Sequence, residues 1–96
     1  MSYIFVDCEA YGGSPATGRL TEIGAVVYPT RETFYRLLES EADEKQAFED
    51  FEVWVASHNV GHPVFVSDNP AFDWQWINVG FWKHLGHNPF GHSARR

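Results

Sequence analysis

The chain is poor in cysteine and in basic side chains. One cysteine, Cys8, among 96 residues excludes an intramolecular disulfide framework and fits a reducing compartment. Seven Lys and Arg stand against thirteen Asp and Glu, a formal net charge of −6. That balance excludes a basic module that grips nucleic acid over its whole surface. It leaves room for an acidic site that meets phosphate through divalent cations. No apolar run approaches the ~18 residues of a membrane span, and the first residues lack a basic-then-apolar leader. The expectation is a cytoplasmic protein with no membrane partner. No internal repeat or low-complexity segment interrupts the chain.

Large rings are plentiful instead: eight Phe, four Trp and four Tyr predict an aromatic-rich core. A chain of this length has room for one such core and not two, so residues 1–96 are expected to belong to a single domain.

Tyr3-Ile4-Phe5-Val6 reads as a short buried strand running into the polar end Asp7-Cys8-Glu9. Residues 10–20 hold three Gly and a Pro and are expected to form a loop. Glu22–Tyr28 and Thr33–Leu38 read as two further strands, and the short connections favour an antiparallel meander. The period then changes. Ala47, Phe48, Phe51, Trp54 and Val55 show helical spacing between Glu41 and His58. Glu41, Asp43, Glu44, Glu49, Asp50 and Glu52 are expected on a solvated face of that helix.

Val64-Phe65-Val66 is a fourth strand. Asp68-Asn69-Pro70 predicts a helix start, with Asp68 or Asn69 capping, and the helix runs to Leu85 with Gly86 as its stop. Its apolar residues lie nearly all round, so burial on more than one side is expected. Residues 87–96 are turn-rich, and His84, His87 and His92 are expected to be solvated. The order is βββ-α-β-α, an α/β arrangement around a mixed sheet.

Asp7 and Glu9 are two residues apart and, on a strand, face the same side. Like charges that close repel unless a cation lies between them, and hard oxygen ligands suit Mg²⁺ or Mn²⁺. Cys8 alternates to the opposite face and is expected in the core. Asp73 falls in the first turn of the second helix, where the helix N-terminus favours an anion and the side chain can turn back across the sheet end.

Phe5-Val6-Asp7-Cys8-Glu9, followed by Thr21-Glu22-Ile23-Gly24-Ala25-Val26, resembles the first motif of the DEDD 3′–5′ exonucleases. Asn69-Pro70-Ala71-Phe72-Asp73 resembles their second. Ser67-Asp68-Asn69-Pro70-Ala71-Phe72-Asp73-Trp74 and the stretch 88–96 are similar to a small phage and bacterial exoribonuclease branch. The resemblance implies an RNase H-like fold and two-metal hydrolysis of 3′-terminal phosphodiesters, of single-stranded RNA before DNA. It implies that Asp7 bridges both metals, that Glu9 binds one and contacts the terminal nucleotide, and that Asp73 binds the second. Arg95, Arg96 and Arg19 are then candidate phosphate contacts, and Tyr11, Phe72 and Trp74 candidate base-stacking rings. Asn69 braces the site or caps the helix.

The family's third motif supplies a last Asp and a His or Tyr base, yet no Asp or Glu follows Asp73. The chain is therefore expected to be a partial domain, incomplete at its C-terminus. Two other classes compete with the enzyme: an inactive remnant that binds nucleic acid or a protein without cleaving, and an interaction module using the acidic 41–52 face. With the usual covering helix absent, the aromatic face of residues 72–85 is the expected homodimer surface.

Overall fold

The computed structural model describes residues 2–92 and 94–95. Strands β1 (Ser2–Tyr11), β2 (Arg19–Tyr28) and β3 (Thr33–Leu37) form the meander. Helix α1 (Glu41–His58) then carries the chain to β4 (Pro63–Val66), and helix α2 (Pro70–Leu85) to β5 (Ala94–Arg95). The sheet order is β3-β2-β1-β4-β5, with β4 parallel to β1 and β5 parallel to β4. Parallel neighbours need a long crossover, and each helix supplies one.

Expected elements recur with shifted ends. β1 does not stop at Asp7 but continues to Tyr11. The acids interrupt nothing, because Asp7 and Glu9 fall on the exposed face and bury no charge. The loop between β1 and β2 shrinks accordingly. β5, two residues long, lies where only turns were expected, and it gains hydrogen bonds from β4 rather than from any local propensity.

Both helices pack on one face of the sheet. Ile4, Val6 and Cys8 of β1, Ile23, Ala25 and Val27 of β2, and Phe34 and Phe65 point into that core. Phe51 of α1 stacks on Phe34 at 4.8 Å, and Trp74 of α2 meets Phe65 edge-on at 5.1 Å. Phe48 and Phe81 join the helices, their ring centroids 5.0 Å apart.

Ser40 caps α1 through its Oγ, which accepts from Asp43 N at 3.1 Å. Gly86 ends α2 as expected: at φ 74° it donates its N–H to the carbonyls of Phe81 and Trp82.

Four expectations need correction. The acidic side of α1 is not simply solvated. Asp50 pairs with Arg36, Glu41 with Lys83, Glu44 with His84 and Glu52 with His87. His84 is accordingly no solvated loop residue; it is helical, nearly buried, and stacked on Phe48 at 5.9 Å. Neither Asp68 nor the Asn69 side chain caps α2. Nor is the aromatic face of residues 72–85 left bare, since Trp76, Ile77 and Phe81 are buried and only Val79 and Trp82 are largely exposed. α2 needs no further cover there, because α1 and the sheet already enclose its apolar side.

The uncovered apolar surface lies elsewhere. Tyr3 and Phe5 of β1 alternate outward from the core, and Tyr28, Tyr35 and Leu37 share their side of the sheet by register. All five are exposed. An antiparallel sheet commonly turns polar residues to its open side, so this face is unusually aromatic.

Candidate active site

The outward half of β1 and the start of α2 enclose a cleft of about 500 Å³. Asp7 and Glu9 reach it by strand alternation, and both are exposed. Gly24 stands opposite Asp7 on β2, and its missing side chain keeps that part of the cleft open. Asp68, Asn69, Phe72 and Asp73 complete the opposite wall.

Asp73 is held differently from the other two acids. It is 4% exposed, and its Oδ1 accepts from the Cys8 amide at 3.2 Å and from the Cys8 thiol at 3.3 Å. Its Oδ2 accepts from the Ser67 hydroxyl. A buried carboxylate is costly without such donors, and the positive end of α2 adds to them. Burial, followed by the hydrogen bond and charge of Asp73, pushes the Cys8 thiol well above its ordinary range. Cys8 is therefore a neutral donor in the core, not a nucleophile.

Asp7, Glu9 and Asp73 share the cleft without converging to 4.8 Å. The group among the described residues whose ligand atoms all lie that close is Glu41, Glu44 and His84, at the junction of α1 and α2. There the charge is already met, because Lys83 contacts Glu41 and lies 3.9 Å from Glu44.

Of the expected substrate contacts, Asn69 and Phe72 line the cleft. Tyr11 stands at the end of β1, 77% exposed and outside the lining. Trp74 is half-buried against Phe65 and also outside it. Arg19 donates to the Glu39 carbonyl at 3.4 Å and lies away from the cleft. Arg95 is placed by its backbone in β5, paired with Val66, and Arg96 lies outside the described residues.

Local pattern in the sequence does not reveal two participants, Ser67 and the donors of Cys8. Ser67 follows an apolar strand and precedes Asp73 by six residues, too far for a local pattern to join them.

No family model matches the chain. The 3′–5′ DNA exonuclease Cap18 of Escherichia coli is 41% identical over 54 residues, which is 54% of this chain and 29% of that protein. A structure of exonuclease I superposes over 99% of this chain and 27% of its own, with a TM-score of 0.68 at 15% identity. The zinc-bound complex of Escherichia coli exonuclease I with single-stranded DNA gives 0.69, also at 15% identity, with 99% and 27% covered. The chain thus spans under a third of the relatives it matches. Its fold is the RNase H-like fold, and over part of its sequence it is similar to a 3′–5′ exonuclease.

Proposed function

We propose that this cleft belongs to a 3′–5′ exonuclease unit that hydrolyses terminal phosphodiesters of single-stranded nucleic acid. One observation carries the reading: Asp73, 64 residues beyond Glu9 in the chain, lines one cleft with the strand acids Asp7 and Glu9 where β1 meets the start of α2. The donor set is oxygen only, which suits hard Mg²⁺ or Mn²⁺ and not a thiolate-loving metal. Asp7 and Glu9, being exposed, have room to turn toward Asp73. Such an ion, when bound, supplies activation of water and stabilisation of the leaving 3′ oxygen.

The chain's own residues place the substrate. Phe72 offers an aromatic edge of the cleft on which a terminal base can stack, worth ~1–3 kcal/mol per base. Asn69, whose side chain makes no capping bond, lines the same cleft. Single-stranded DNA is the favoured substrate, because the relative is named a DNA exonuclease and the structural neighbour is seen in complex with single-stranded DNA. The RNA expectation rests on the second-motif resemblance.

The test incubates the chain with 5′-labelled single-stranded DNA and RNA in Mn²⁺. Slow stepwise shortening from the 3′ end is expected, because no Asp or Glu follows Asp73 to act beside a base. It is expected to be lost in Asp7→Asn and Asp73→Asn, which remove ligands of the ion. Retention of both labelled strands at full length, with no Mn²⁺ bound by calorimetry, overturns the exonuclease reading. Binding without shortening favours the non-cleaving alternative.

A further inference from the structure

Building on the reading of Asp73 as a cleft ligand, we propose that Ser67 and Cys8 are positioning residues for it. Together they fix the orientation of the Asp73 carboxylate and leave one oxygen lone pair for a divalent cation. The hydrogen bonds specify this. A carboxylate offers about four acceptor positions. Three are filled: two by the Cys8 amide and thiol on Oδ1, one by Ser67 on Oδ2.

The Ser67 hydroxyl has no choice of direction. Its oxygen already accepts from Asn69 N at 3.0 Å, and its single proton goes to the acceptor-only carboxylate. That chain of bonds ties the entry of α2 to its own first-turn acid. Cys8 donates from the other side. β4 ends at Val66, opposite Phe5, so β1 beyond Phe5 has no β4 partner. The Asp73 carboxylate takes the Cys8 amide there. Because Cys8 lies between Asp7 and Glu9, this contact also sets where the α2 acid stands relative to the two strand acids.

Outer partners of a metal-binding carboxylate typically change metal affinity by ~10–100-fold when removed. The experiment measures Mn²⁺ binding by calorimetry for the full chain and for Asp73→Asn, Ser67→Ala, Ser67→Thr, Cys8→Ala and Cys8→Ser. Wild type is expected to bind and Asp73→Asn to lose binding. Ser67→Ala is expected to weaken it by about tenfold and Ser67→Thr to restore it, since threonine keeps the hydroxyl. Cys8→Ala keeps the amide donor and is expected to weaken binding less, with Cys8→Ser close to wild type. Thermal melts establish that each variant is folded. If Ser67→Ala is unfolded, the Cys8→Ala and Cys8→Ser pair decides in the same sense.

Loss of binding in Asp73→Asn with unchanged affinity in Ser67→Ala and Cys8→Ala overturns the positioning role and leaves the cleft reading intact. No Mn²⁺ binding by wild type, or none lost in Asp73→Asn, overturns both.

Discussion

Gly80 of α2 lies so close to Phe48 of α1 that a Cβ placed there would stand 2.0 Å from the ring's Cζ. Helix propensity taken alone favours Ala over Gly by ~1 kcal/mol. The contact reverses that sign. Gly80→Ala should destabilise by ~1–3 kcal/mol, the cost of overpacking a filled core. Urea unfolding measures it, and Phe48→Leu in the same background should recover part of the loss.

Phe51 and Trp82 are both helical aromatics, yet their burial separates them. Phe51 is fully buried and stacks on Phe34 and Phe81, whereas Trp82 is 51% exposed. Phe51→Ala should cost ~3–5 kcal/mol, and Trp82→Ala ~0.5 kcal/mol or less. Equal losses in denaturant titrations would mean that the outer side of α2 is covered in solution.

The cap of α1 rests on one hydroxyl. Ser40 accepts from Asp43 N, and Asp43 in turn accepts from Glu39 N at 3.0 Å. Ser40→Ala should cost ~1 kcal/mol, while Ser40→Asp, which can still accept, should cost little. A lowered unfolding midpoint in the first variant alone checks the assignment.

Lys83 and Glu41 join the last turn of α2 to the first turn of α1. The hydrogen bond from Lys83 lowers the Glu41 carboxyl, and the same bond raises the Lys83 ammonium. The lowered carboxyl stabilises the fold above its unfolded pKa and loses that contribution as pH falls through its folded value. The raised ammonium contributes below its unfolded pKa and loses it as pH rises through its folded value. The melting difference between wild type and Lys83→Met should therefore be largest between about pH 5 and 10 and shrink toward both extremes. Because the pair is exposed, added salt should reduce it as well.

Much of the architecture is legible in local pattern. The alternation along β1 places Cys8 in the core and Asp7 and Glu9 together on the other side, and the structure has that arrangement. The run Tyr3–Val6, read as buried throughout, instead alternates and leaves Tyr3 and Phe5 exposed. The spacing of Ala47, Phe48, Phe51 and Val55 marks the buried side of α1, and Gly86 marks the end of α2. These features depend on period and on backbone preference, which neighbours in the chain carry between them.

Long-range neighbours carry the rest. Nothing beside Glu44 in the chain announces His84, and nothing beside Ser67 announces that its proton goes to a carboxylate shared with Cys8. The acidic stripe looked solvated because its partners, Arg36, Lys83, His84 and His87, lie on other elements. β5 likewise exists through pairing with β4.

By itself, then, the sequence determined the order and type of the first four strands and both helices, which strand acids share a face, and the resemblance of its two motifs. Only the tertiary structure decided that Asp73 is buried, and that the bare aromatic surface belongs to the sheet and not to α2. The physical reason is common to both. Periodicity says which side of an element is apolar, but which side is covered depends on the layer that the chain brings against it.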